Sequence, residues 1–442
     1  MTMDPTNILV QVQTYNKESL AYLENLNCFI GTLNKKFKAL REGKPEGNLG
    51  DTLTFDLPPR SVANQGLIAS FQPAVQRLQK LAITQSQNAS MAFTAQQFAF
   101  NVKDYMEEFG KSRVEELSTQ IEANIALNAI SGVPVMAPNA QGQYVPTGAL
   151  YTDSGPYRFY GDGINPINSF GQLAKMLAFY RNYGAPAGAP NVFLSDLAIP
   201  DIINTGANQF VPARNEKYTN SWDLGTYKGS NANFFQSNLL PIQNAGTCGN
   251  SQQVLTVIST NDPTGANITQ ITVSGATPSD VNAIKSGDLA QFNDGVGSLP
   301  NLRYLTFTGH IPSGNPVQIR MLANATADGS GHVVLSIFPP LQSTFGNTQN
   351  LNTPIQAGMQ LSVLPSHRAG VIVGGNAAFL GMPQLPDETP YPTGNAVNKA
   401  TGATLRTYYG SIFGQNTRGI INDCVWNATF VPEYCMRIIF PL

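Results

Sequence analysis

The feature that most constrains this chain is the run from Phe93 to Gly132, which reads as one helix much longer than an ordinary globular domain needs. Thr94 is placed to cap free backbone amides, Gln97 to reach back to that cap, and Phe93 to staple onto Phe98. Val102, Met106, Phe109, Leu117, Ile121 and Ile125 then recur at helical steps along a face flanked by Glu and Lys. Gly132 and Pro134 mark the stop. From Ala95 to Ile130 such a helix spans about 54 Å, with Gly110 as a place to bend. Arg113, Asn124 and Asn128 interrupt any heptad seam, so the helix is expected to carry a sheet or other helices across it.

The length of 442 residues leaves room for about two to four domains. Charged residues make up 12% of the chain, about half the usual share, so much of its polar surface is uncharged. That depletion suits a surface buried against neighbouring copies, and it also suits a β-rich secreted protein. A net charge of -2 with no basic stripe argues against a nucleic-acid binder. The tight basic cluster Lys35, Lys36, Lys38 and Arg41 is diluted by Glu42 and Glu46 and reads as a solvated helix end. No run approaches a membrane span, and Met1 to Val10 lacks the basic and apolar regions of a signal peptide, so a cytosolic protein is expected. Cys28, Cys248, Cys424 and Cys435 show no CxxC spacing and read as isolated reduced thiols.

Along the chain, Thr6 to Leu40 contains a helical segment with Leu20, Leu23, Leu26 and Ile30 at helical spacing. Asp51 to Leu57 alternates as a strand before Pro58-Pro59, and a second extended run, Leu78 to Gln85, returns towards the long helix. Together they suggest a projecting hairpin. Pro134 to Gly163 reads as surface loop, Ser169 to Tyr183 as a helix, and Asn191 to Leu194 as a strand, giving an α+β layer. From Gly229 to Pro300 only Asp262, Asp280, Lys285, Asp288 and Asp294 are charged. Strand-like runs at Val254–Ile258, Ile268–Val273, Leu289–Phe292, Tyr304–Phe307, Val317–Met321 and Val333–Phe338 predict a small barrel or sandwich, with Ile242 to Pro365 inserted into the first domain. Pro383 to Thr401 reads as an exposed loop, and Thr404 to Leu442 alternates as strands.

Chemistry has little to stand on. Gly110-Lys111-Ser112 resembles the end of a P-loop but falls mid-helix, with Tyr105 where the motif needs Gly. There is no GxSxG elbow, and Asp328-Gly329-Ser330-Gly331 reads as a hairpin turn. The three histidines, His310, His332 and His367, lack paired metal spacing. Glu107-Glu108 and Glu115-Glu116 are adjacent on a helix, so within each pair the carboxylates diverge. No catalytic, cofactor-binding or metal-ligating residues are expected, and the chain is read as not an enzyme.

The order of parts, with several short motifs, resembles the tailed-bacteriophage coat proteins of the HK97 fold, and most closely the P22-like branch. Gly50-Asp51-Thr52-Leu53 with Pro58-Pro59-Arg60 looks like that branch's entry into the E-loop, and Met91-Ala92-Phe93-Thr94 resembles the strand leading into its spine helix. Gly225 to Gly229, followed by Phe234-Phe235-Gln236-Ser237-Asn238-Leu239-Leu240-Pro241, resembles the strand before the inserted domain. Gly287-Asp288, Pro339-Pro340-Leu341, Gln349-Asn350-Leu351 and Asn376-Ala377-Ala378-Phe379 follow in the expected order.

The resemblance implies an α+β, HK97-like capsid fold with these parts: an N-terminal arm (1–50), an E-loop hairpin (51–90), a spine helix with P and A domains (91–241), an inserted all-β barrel-like domain (242–365), and a return to the A and P domains (366–442). It implies a major capsid protein that self-assembles through hexamers and pentamers into an icosahedral shell around double-stranded DNA. A scaffolding protein and a portal are the implied partners, and the virion, assembled in the host bacterial cytoplasm, is the implied location. On the hairpin, Asp51, Asp56, Arg60, Arg77 and Lys80 are the expected inter-subunit contacts. An encapsulin-like compartment and a β-rich surface binding protein are the alternatives; the first would be shorter and lack the insertion, and the second would need an export signal.

Overall fold

A computed structural model describes residues 17, 19–20, 28–33, 52–57, 77–94, 102–140, 144–184, 188–204, 232–307, 310–375, 377–386, 393–397, 403–411 and 417–442. The chain forms two compact units, one of Met1–Thr54, Lys80–Ala126 and Phe379–Ala428, the other of Phe55–Gln79, Leu127–Ala378 and Thr429–Leu442. The described part is mixed α/β and rich in strand.

Strands β1 (Thr52–Leu57) and β2 (Arg77–Ala82) pair as a two-stranded sheet, and β3 (Gln85–Thr94) leads towards the long helix, Val102–Ser131. Its 30 residues rise about 45 Å. Then come the hairpin β4 (Pro134–Pro138) and β5 (Tyr144–Leu150), the short β6 (Phe159–Tyr160), a second helix Phe170–Arg181, β7 (Asn191–Leu194), β8 (Asn233–Gln236) and β9 (Ile242–Gln243). Strands β10 (Val254–Thr260), β11 (Ile268–Ser274) and β12 (Leu289–Phe292) precede a small pair, β13 (Arg303–Leu305) with β14 (Pro312–Pro316). After them run β15 (Gln318–Met321), β16 (Val333–Leu341), β17 (Gln360–Val363), β18 (His367–Val373), β19 (Ala378–Gly381), β20 (Thr393–Val397), β21 (Thr404–Ser411), β22 (Thr417–Phe430) and β23 (Cys435–Phe440).

In the first unit the sheet runs β19-β22-β21-β20, with β3 added along β22 through a ten-residue ladder from Thr417↔Thr94 to Trp426↔Gln85. Its inner face buries Leu405, Ile420, Cys424 and Trp426. The helix contributes Val114, Leu117, Ile121 and Ile125, all buried, while Glu115 and Glu116 face solvent. Arg113 fastens the helix to this sheet by donating to Ala89 O at 2.6 Å and Ile420 O at 3.0 Å.

In the second unit six strands close a barrel in the order β10-β11-β16-β15-β12-β17. Alternation along each strand sends Leu255, Val257, Ile271, Val273, Phe292, Ile319, Met321, Leu335 and Leu361 inward. A second sheet, β6-β23-β18-β7-β8, packs Val192, Leu194, Ile372, Met436, Ile438 and Phe440 onto Leu173, Met176, Leu177 and Tyr180 of the second helix. That helix has a complete capping box, with Ser169 receiving Gln172 N at 3.2 Å and Gln172 reaching back to Ser169 N. The chain leaves this sheet at β9 and rejoins it at β18, and the two strands pair at Gln243↔His367. All six barrel strands lie between those points.

Several expectations are corrected. Phe93 and Thr94 end β3, paired with Arg418 and Thr417, and the expected cap at Thr94 falls where its side chain lies outside the described residues. Residues 95–101 and the side chains of Val102, Met106 and Phe109 lie outside the described residues, as do the basic cluster at Lys35 to Arg41 and the Gly225–Gly229 motif. The run Leu78–Gln85 is not one strand, because β2 ends at Ala82 and β3 starts at Gln85. Pro134–Gly163 is not a surface loop: it holds the β4–β5 hairpin and buries Tyr157 and Phe159. Thr393–Val397, inside the expected loop 383–401, is a strand on β21. The Tyr304 run lies outside the barrel in β13, and β17 supplies the sixth stave instead.

Candidate functional site

The last turn of an α-helix exposes carbonyls with no intrahelical donor and carries the negative end of the helix dipole. Here two arginines meet it. Arg437, in the middle of β23, donates from Nε to Ile130 O at 2.6 Å and from Nη2 to Gly287 O at 3.0 Å. Arg320, on β15 of the barrel, donates from Nη1 to Ser131 O at 3.0 Å and from Nη2 to Ser154 O at 2.7 Å and Tyr151 O at 3.3 Å. Its guanidinium also lies 4.9 Å from the Phe338 ring centroid. Both arginines are 0% exposed.

Two glycines make room for this. A Cβ on Gly132 would stand 2.1 Å from Arg320 Nη1, and one on Gly155 would stand 2.3 Å from the same atom. Both also have positive φ, +92° and +84°, which a side chain resists. Burial lowers the two guanidinium pKa values to about 9; Arg437 pushes Arg320 further down, whereas Asp288 acts the other way on Arg437. Both therefore stay charged at neutral pH.

Asp288 is the buried carboxylate of this junction. It accepts from Lys285 N at 2.9 Å, Gly246 N at 3.0 Å and Gln243 Nε2 at 3.3 Å, binding the chain entering the barrel to the barrel's own turn. Burial pushes its pKa up to about 6, against the pull of those hydrogen bonds and Arg437. His367, opposite Gln243, is lowered to about 4, first by burial and then by Arg437. Gln318 adds a paired contact, accepting from Phe159 N at 2.8 Å and donating to Phe159 O at 2.9 Å. Together these groups fix the helix end, the barrel and β23 in one arrangement. The signal in the sequence was a lone charge inside an apolar strand, as in Met436-Arg437-Ile438-Ile439-Phe440, and the sequence reading did not take it up.

Of the hairpin residues, Asp51 and Arg60 lie outside the described residues, and so does the side chain of Asp56 on β1. Lys80 is exposed on β2. Arg77 forms an ion pair with Glu433 of its own chain and lies over the Phe307 ring at 5.6 Å. A cleft of about 300 Å³ opens beside this pair, lined in part by Gln79, Tyr157, Tyr183, Pro340 and Asn350.

His332 stands 3.3 Å from Asp328, in the Asp328–Gly331 turn that the sequence indicated. Among the described residues no group of three or more His, Cys, Asp or Glu converges to hold a metal, and no helix is long and apolar enough to cross a membrane. Cys248, Cys424 and Cys435 are buried thiols, with burial pushing the pKa of Cys248 to about 11 and of Cys424 to about 12. Such thiols stay protonated and make poor nucleophiles.

No protein-family model matches the sequence, and no curated protein does. Among solved structures, the capsid of cyanophage P-SCSP1u is similar at 8% identity and a TM-score of 0.38, over 93% of this chain and 86% of that one. A structure from Mycobacterium phage Che8 is similar at 8% identity and a TM-score of 0.42, over 94% and 90%. The capsid asymmetric unit of cyanophage Pam1 is similar at 10% identity and a TM-score of 0.42, over 89% and 86%.

Proposed function

We propose that this chain is a bacteriophage major capsid protein of the HK97 fold, in the P22-like branch, which assembles with copies of itself into a closed icosahedral shell around double-stranded DNA. The observation that carries the reading is the order of elements. A two-stranded hairpin is followed by a 30-residue helix, then by a sheet that the chain leaves at β9 and rejoins at β18 after forming a closed barrel, and finally by the long strands of β21 to β23. This is the order that the sequence motifs suggest for that family. A surface with few charges suits repeated lateral contacts between identical copies.

In this reading 1–50 is the arm, 51–90 the E-loop, 91–241 the spine with the P and A domains, 242–365 the inserted β domain and 366–442 the return. The shell is built of hexamers and pentamers with the help of a scaffolding protein and a portal, inside the bacterial host. The subunit performs no catalysis and takes no cofactor. Of the hairpin charges expected at the neighbouring copy, Asp51, Asp56, Arg60 and Lys80 contact it, where a partly buried pair outweighs an exposed one, whereas Arg77, expected there too, is held by Glu433 of its own chain.

Sedimentation velocity on the purified chain tests this. Wild-type protein is expected to give fast, homogeneous particles, and Arg60→Glu to give a folded subunit that remains slow. Normal particle formation by the variant would remove the hairpin from the inter-subunit contact.

A further inference from the structure

The base of the hairpin is fastened to its own chain at several points. Arg77 pairs with the Glu433 carboxylate, which sits on the Pro432–Tyr434 turn just before β23, and the two side chains are 21% and 12% exposed. The same guanidinium covers the Phe307 ring. Two residues on, Gln79 Nε2 donates to Thr429 Oγ1 at 2.9 Å and to Asp153 O. Strand alternation then separates the residues of β2 by face: Gln79 and Leu81 are buried, while Leu78 and Lys80 are exposed.

We infer that the Arg77–Glu433 pair is an intramolecular latch that sets the hairpin base before any second copy is met, leaving the outward Leu78 and Lys80 to face that copy. A two-stranded hairpin is marginal by itself, so its angle of departure depends on what holds its base. Arg77 provides that hold through charge, ring contact and proximity to the Gln79 bonds. Lys80, exposed on the other face of β2 and with no ion pair among the described residues, is left to face a partner. The division of labour within β2 rests on the shell reading only for the identity of the partner; the latch itself does not.

Hydrogen exchange of the full-length, unassembled chain at low concentration tests the latch. Arg77→Ala and Glu433→Gln are each expected to lower amide protection across residues 78–81 by about fivefold, the ratio given by roughly 1 kcal/mol. The double variant is expected to lose no more than either single one. The exchanged pair R77E with E433R is expected to recover most of the protection. Lys80→Glu is expected to leave protection unchanged while reducing particle formation. Unchanged protection in both single variants, or additive losses in the double, would overturn the latch, and a Lys80→Glu chain that assembles normally would overturn the outward contact. If wild-type protein forms no particles the shell reading fails, while the exchange result still decides the latch.

Discussion

Arginine is used in two opposite ways in this chain. At the end of the long helix, Arg320 and Arg437 are wholly buried and face carbonyl oxygens, with the carboxylates of Asp153 and Asp288 acting on them from nearby. At the hairpin base, Arg77 is partly exposed and faces one carboxylate, Glu433. A charge sealed among carbonyls cannot leave without stranding several acceptors, so the first arrangement fixes a fold. A partly buried ion pair near the surface is released at lower cost, because water can reach both partners once it opens. The first region is therefore suited to permanence, and the second to a hold that a single charge change can loosen.

The comparison breaks most readily at Arg320. Its replacement by Leu leaves Ser131, Tyr151 and Ser154 carbonyls without their donor, and a loss of about 3 kcal/mol or more is expected in urea unfolding. A loss below about 1 kcal/mol would show that water replaces the guanidinium there. Gly132→Ala attacks the same junction sterically, through its positive φ and the 2.1 Å approach to Arg320. A loss of about 2 kcal/mol is expected.

Acidity separates the two regions further. Asp288, raised to about 6, contributes stability that is fully present below its ordinary pKa of 3.8 and is lost as pH rises through 6. His367, lowered to about 4, acts the other way: its contribution is present above its ordinary 6.5 and is lost as pH falls through 4. Between pH 4 and 6 the two slopes oppose each other. Asp288→Asn is expected to leave the His367 slope, with the unfolding free energy rising with pH by up to about 1.4 kcal/mol per unit. His367→Gln is expected to leave the reverse slope. Parallel pH profiles in the two variants would remove these groups from the balance. The smallest effect is expected at the hairpin base, where Glu433→Gln should lower stability by about 1 kcal/mol or less, since its partner is partly in solvent.

Sequence periodicity reached the elements whose signals are local. Gly132 follows the end of the long helix, the second helix lies within Ser169 to Tyr183, and Leu255, Ile271, Phe292 and Leu335 lie on barrel strands because alternation alone puts them inside. It failed where distant pairing decides. Gln85 to Thr94 form one ten-residue strand because their partners lie on β22, more than three hundred positions away. Pro134, Pro138 and Pro146 disguise a hairpin, since proline usually argues against strand. The junction was the least legible part. Nothing near Arg320 or Arg437 in sequence names the helix end that each would reach, and only the fold brings Ile130, Ser131 and Asp288 to them.

Negative-stain electron microscopy of the purified full-length chain tests the central claim most directly. The account predicts closed particles of one or a few discrete diameters, forming by self-association and lost when the hairpin charges are reversed. A chain that stays monomeric across concentration, with or without a scaffolding partner, would contradict it.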